Sequence, residues 1–69
     1  MSIRGQNYLE KKMVWQKSTD PIYPYTADFE KERCLIRIND FPDEHLYTLI
    51  VNDREVVHFD NWPQYWTRP

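Results

Sequence analysis

Glycine and cysteine are almost missing from this sequence, and each scarcity excludes something. Gly5 is the only glycine in 69 residues. Loops that cradle phosphates need several glycines so that backbone amides can approach the ligand, so nucleotide-binding loops of that kind are excluded. Cys34 is the only cysteine. No intramolecular disulfide can form, which removes the disulfide-stapled mini-protein class. Long apolar runs are lacking as well: no stretch approaches the ~20 residues a membrane helix needs. The opening "MSIRGQNYLEKK" has no apolar centre of signal-peptide type. A cytoplasmic location without membrane contact is the default expectation.

An excess of positive charge is also absent, since the formal net charge is −2. The balance is uneven along the chain. Residues 1–17 set Arg4, Lys11, Lys12 and Lys17 against Glu10, whereas residues 34–69 set only Arg37, Arg54 and Arg68 against six acids. An acidic surface repels phosphate backbones, so nucleic acid is a disfavoured partner despite the short basic arm.

What the chain has in quantity is aromatic surface: three tryptophans, five tyrosines and three phenylalanines. Each buries roughly 150–250 Å², enough in sum to hold one small core in a chain near the lower size limit for a domain.

The clearest local pattern is "LYTLIVNDREVVHF". Two β-rich runs flank Asn52-Asp53, a pair that tolerates positive φ and suits a two-residue type I′ hairpin turn. This register opposes Val51 to Arg54, Leu49 to Val56 and Tyr47 to His58. On the other face Leu46, Thr48 and Ile50 oppose Phe59, Val57 and Glu55. "YTADFEKERCLIRI" reads as a second hairpin. With Lys31-Glu32 as its turn, Phe29, Ala27 and Tyr25 face Cys34, Ile36 and Ile38, all on one face. Between the hairpins, "NDFPDEH" supplies turn residues.

The expected fold class is therefore all-β or a β-rich α+β arrangement. Its centre is a four-stranded antiparallel β-meander near 23–29, 34–39, 46–51 and 55–60. Residues 1–12 read as an N-terminal arm, helical or flexible, and 13–69 as a single small β domain. Residues 7–17, at the end of the arm and just beyond it, stay open between two readings. One is a helix with Asn7 as N-cap and Glu10 three residues on; the other is a strand around residues 13–16, favoured by Val14 and Trp15.

This meander carries apolar residues on both faces: Phe29, Cys34, Ile36, Ile38, Leu49, Val51 and Val56 on one, Leu35, Leu46, Ile50, Val57 and Phe59 on the other. Antiparallel sheets usually leave one face polar. The second face then needs a cover from the Trp15 segment, the aromatic tail "FDNWPQYW" or a second copy of the chain. Homodimerisation is one expectation on that ground. In the tail, Trp62 is expected to pack beside Phe59 or Leu46, with Pro63 turning the chain. Trp66, three positions from the last residue, is expected to be the less buried of the two.

Candidate sites are sparse. Asp40, Asp43, Glu44 and His45 share a loop near His58 and Asp60, but they match neither the calcium-loop pattern nor a zinc ligand set. Cys34 sits on an apolar strand face, where cysteine is a small hydrophobe and not a nucleophile. Neither Ser2 nor Ser18 has an adjacent histidine, so no nucleophile–base arrangement is visible. No catalytic, cofactor-binding or metal-ligating residue is expected. The remaining class is protein binding, because tryptophan and tyrosine dominate interface hot spots. The expected function is a non-enzymatic interaction module, an accessory subunit or an inhibitor- or immunity-like protein with an unknown protein partner. Trp62, Tyr65, Trp66, Tyr47 and His58 are the candidate interaction residues. The alternative is a single-stranded nucleic-acid binder that stacks bases on the sheet and tail aromatics.

The run "RINDFPDEHLYTLIVNDREVVHFDNWPQYW", Arg37 to Trp66, resembles small bacterial proteins that read as strand, "FP" turn, hairpin and a "DxWPxxW"-like tail. It spans about the last half of the chain. The resemblance implies a fold of this type and brings no activity, and no functional residue is carried over from it.

Overall fold

The computed structural model describes residues 8–69. Asn7, the N-cap of the helical reading, and most of the 1–12 arm lie outside the described residues. Seven strands form: β1 (Met13–Val14), β2 (Gln16–Lys17), β3 (Tyr25–Phe29), β4 (Glu32–Ile38), β5 (Tyr47–Val51), β6 (Arg54–Phe59) and β7 (Trp66–Thr67). Strands β2 to β6 make one antiparallel sheet in chain order, and β1 and β7 make a separate parallel pair. The β-rich class and the antiparallel meander are as the sequence reads. The sheet has five strands and not four, because Gln16–Lys17 joins β3 as an edge.

The segment around residues 13–16 takes the extended alternative. Before it, Tyr8 and Leu9 belong to a single turn in which Lys11 N–H donates to the Tyr8 carbonyl at 3.2 Å. Met13 and Trp15 face inward and Val14 outward, the alternation of a strand with one buried side.

Both tight hairpins use two residues at positive φ. Asn52 and Asp53 have φ of 51° and 69°, as the sequence indicates. The first hairpin turns at Glu30 and Lys31 (φ 51° and 68°), one residue earlier than the expected Lys31-Glu32. The pairing therefore slips by two: Phe29 opposes Glu32, Ala27 opposes Cys34 and Tyr25 opposes Ile36. A slip of two preserves the face of every side chain, which is why hydrophobic pattern could not detect it.

A β-bulge in β6 changes more. Val51 pairs Arg54 and Ile50 pairs Glu55 as expected, but Leu49 then pairs Val57, leaving Val56 as the extra residue. Beyond the bulge the strand is offset by one. Tyr47 opposes Phe59 in place of His58, and Thr48 opposes His58 in place of Val57. Phe59 and Val57 thus join the face that carries Cys34, Ile36 and Leu49. The second face keeps Leu35 and Ile50 among polar neighbours, so the two apolar faces read from sequence reduce to one.

That one apolar face is covered from within. The β1–β7 pair closes over it, with Trp15 N–H donating to the Thr67 carbonyl at 2.8 Å and the Trp66 indole N–H to the Tyr8 carbonyl at 2.9 Å. Tyr8 adds a hydrogen bond to Glu32 and an edge-on contact to Phe29 at 6.1 Å. Trp66 is only 5% exposed whereas Trp62 is half-buried, so the expected order of the two is reversed. The reason is the parallel pairing with β1, a contact across more than 50 residues that tail composition does not signal. Among the described residues no helix is long and apolar enough to cross a membrane.

Candidate interaction surface

The aromatic residues are graded from the core outward. Trp15 and Trp66, both buried, meet at 5.0 Å with their rings tilted by 53°. Trp62 meets Trp66 at 5.3 Å and Trp15 at 6.2 Å, in both cases edge to face. Phe59 touches Trp66 at 5.4 Å and Trp62 at 6.4 Å, so the expected neighbour of Trp62 is present. Tyr25 and Tyr47 then flank the outer side of Trp62 at 5.3 and 5.6 Å. Each such pair adds ~0.5–1.5 kcal/mol beyond the area it buries. The buried indole nitrogens of Trp15 and Trp62 have no hydrogen-bond partner among the described residues. An unsatisfied donor costs ~1–3 kcal/mol, so the cluster is held by ring contact and not by polar anchoring of these two indoles.

Tyr25, Tyr47 and Trp62 are all half-buried and form the rim of the core. Arg68, just beyond β7, lies over this rim with its guanidinium carbon 4.5 Å from the Trp62 ring centre and 6.0 Å from that of Tyr25. A hydrogen bond with the Tyr47 hydroxyl, and weaker interaction with Tyr25, raise its pKa above the ordinary arginine value against a small opposing desolvation. Ile38, the cross-strand partner of Tyr47, is exposed, and its N–H donates to the carbonyl of exposed Ile22 at 3.1 Å. An aromatic rim thus passes directly into exposed aliphatic surface.

The expected interaction residues separate in three dimensions. Trp62, Tyr47 and Trp66 share the aromatic cluster, but Trp66 is inside it. Tyr65 is exposed at 47%. His58 is carried by the bulge onto the opposite face of the sheet, beside Thr48.

On that opposite face a polar network surrounds Thr48, which is fully buried. Its hydroxyl oxygen accepts from Asn39 Nδ2 at 2.7 Å and Arg37 Nη2 at 3.4 Å. With both lone pairs used, the hydroxyl proton is left for His58 Nδ1 at 2.8 Å. Arg37 also pairs with Glu55 at 2.8 Å, and His58 Nε2 lies 3.8 Å from the same carboxylate. Hydroxyl, imidazole and carboxylate in series imitate a nucleophile–base–acid relay. The hydroxyl is inaccessible, however, so this order orients side chains and presents no nucleophile to solvent. The rings of His45 and His58 stack at 6.1 Å with an angle of 11°. Asp60 ties the preceding loop to the strand, accepting from Leu46 N–H at 2.9 Å and contacting His45 Nδ1 at 3.2 Å. The Leu46 bond first, and His45 second, hold its carboxyl below the usual aspartate value. A cavity of about 240 Å³ opens here, lined by Arg37, Asn39, Glu44, His45 and His58. Among the described residues no group of His, Cys, Asp and Glu is arranged to hold a metal ion.

Sequence reading missed Arg68 as a member of the rim, and counted Tyr25 only among the stacking aromatics of the nucleic-acid alternative. Tyr25 was within reach, because it alternates with Ala27 and Phe29 on the core face. Arg68 carried no local signal. No protein-family model, no curated protein and no solved structure matches this chain.

Proposed function

We propose that the protein is a non-enzymatic protein-interaction module, of accessory or inhibitor type, that meets its partner through the rim around Trp62. The observation that carries this reading is the continuity of half-buried Tyr25, Tyr47 and Trp62 with exposed Ile38, the cross-strand partner of Tyr47. Interface centres combine anchored aromatic rings with aliphatic surface and few charges, and this is the region of the protein with that composition. Rigid rings already fixed by the core lose little freedom on binding, which favours affinity. A cytoplasmic setting and a partner with basic character fit the acidic second half of the chain.

The polar face supports no comparable reading, since its hydrogen-bonding groups already satisfy one another. Self-association through that face has lost its premise, because the bulge withdraws Phe59 and Val57 from it. Base stacking is the competing use of the rim. It requires a positive groove, whereas residues 34–69 set three basic groups against six acids.

The test is capture from host extract with immobilised wild-type protein, Ile38→Glu and Asp53→Lys, each first shown to melt as the wild type does. A protein retained by the wild type and Asp53→Lys but lost by Ile38→Glu supports the assignment. Equal retention by all three removes this surface from consideration. Tight, salt-sensitive binding of a fluorescent oligonucleotide would replace the reading with the nucleic-acid alternative.

A further inference from the structure

Arg68 occupies a place that its own strand does not require. It lies just past β7 and is exposed, and it makes no ion pair among the described residues; its contacts are with aromatic side chains. Trp62 forms the floor beneath its guanidinium at 4.5 Å. Tyr25 stands beside that floor at 58° to it, and Tyr47 stands at 76°. A cation over one ring, with two further rings inclined steeply to that floor, is the kind of arrangement by which proteins recognise organic cations. The Tyr47 hydroxyl adds an acceptor, which a planar cation with N–H donors can use and a fully alkylated one cannot.

The geometry points to a cation-recognition cage formed by Tyr25, Tyr47 and Trp62, whose external ligand is an arginine side chain of a partner protein and whose resident occupant is Arg68. This deepens the interaction reading and rests on it: the cage names the chemistry that the rim selects. The occupant is arginine because the structure shows that side chain seated over Trp62 and beside Tyr25. Trp62, Tyr25 and Tyr47 are all held from behind by the core, through Trp66, Phe59 and Ile36, so the cage persists when Arg68 swings away. Only side-chain rotation is needed to vacate it. Arg68 therefore raises the threshold for binding, because an incoming arginine must displace it.

Side-chain NMR titration with acetyl-arginine-amide tests this, using acetyl-lysine-amide and tetramethylammonium at matched ionic strength as comparison cations. The Trp66 indole N–H, bonded to the Tyr8 carbonyl, reports that the fold is intact. In Arg68→Ala, resonances of Tyr25, Tyr47 and Trp62 should shift saturably with the arginine compound. In the wild type the half-saturation point should lie about fivefold higher or more, because a tethered competitor acts at roughly millimolar effective concentration. Arg68→Gln, which keeps much of the stem, gives the same readout should the alanine variant lose its fold. Tyr47→Phe in the Arg68→Ala background should erase the preference for arginine over tetramethylammonium. Absence of saturable shifts in both Arg68 variants overturns the cage, as do equal half-saturation points with and without Arg68. Tetramethylammonium binding as well as arginine overturns the assignment of the ligand. The capture test reads Ile38 and leaves Arg68 untouched, so the cage can fail while the interaction surface stands.

Discussion

Two tryptophans four positions apart do different work, and the difference is measurable. Trp66 is 5% exposed, touches Trp15, Trp62 and Phe59, and donates its indole N–H to Tyr8. Trp66→Ala should cost about 3–5 kcal/mol, the range for a large aromatic lost from a core. A domain this small has about that much stability in total, so the variant should be unfolded at room temperature by circular dichroism. Trp62→Ala should be less damaging, because this ring is only partly buried; a cooperative urea transition at lower midpoint is expected. Asp60 gives a residue-level prediction in pH. Its folded pKa lies below the ordinary value of 3.8, so its contribution is present above about pH 4 and is lost as pH falls through the lower folded value. Asp60→Asn should therefore lower the melting temperature at pH 7 and make the decline below about pH 4 shallower than in the wild type. An unchanged acid profile would show that Leu46 N–H and His45 do not stabilise the ionised form.

At the scale of elements, turns and the bulge determine which side chains share a face. Glu30 and Lys31 sit at positive φ without the glycine or asparagine that a type I′ turn prefers. Glu30→Asn with Lys31→Gly should raise stability by about 0.5–1 kcal/mol: relief of the left-handed strain exceeds the unfolded-state entropy that glycine adds. Deleting Val56 is the sharper test. Without the extra residue the two strands pair one to one, with Val57 still opposite Leu49, His58 opposite Thr48 and Phe59 opposite Tyr47, so the deletion should keep cooperative melting, and loss of the fold would contradict the bulge. These two features also explain what sequence could and could not show. Strand identity was legible from alternation, and Asn52-Asp53 announced its turn by residue type. The two-residue slip at Glu30-Lys31 was invisible because alternation is blind to even shifts. The bulge was invisible because "REVVHF" holds two consecutive valines, Val56 and Val57, so either register appears to bury something. The exchange of Trp66 for Trp62 in the core had a third cause. It depends on Met13 and Trp66 meeting as parallel partners, and no local pattern encodes that meeting.

For the whole molecule, the N-terminal segment and the tail act together as the second layer of the fold. A five-stranded sheet with one apolar face needs a lid, and β1 with β7 supplies it. The lid leaves one margin of the aromatic core uncovered, where Tyr25, Tyr47 and Trp62 meet Arg68 and adjoin Ile38. On the proposed reading, interaction is a by-product of incomplete enclosure: the same rings that close the core would present their outer edges to a partner. The rim site, being part of the core cluster, was only partly legible, since composition indicated aromatic recognition but could not say which rings remain outside.

The claim that Trp66 is enclosed while Trp62 forms the rim can be read directly from 5-fluorotryptophan-labelled protein by ¹⁹F NMR. Its three tryptophans give three resonances, assigned by Trp15→Phe, Trp62→Phe and Trp66→Phe variants. On addition of a neutral, soluble nitroxide, the account predicts strong broadening of the Trp62 signal and little change in those of Trp15 and Trp66. Broadening of Trp66 equal to or greater than that of Trp62 would contradict it, by placing the tail outside the core and removing the lid from the fold.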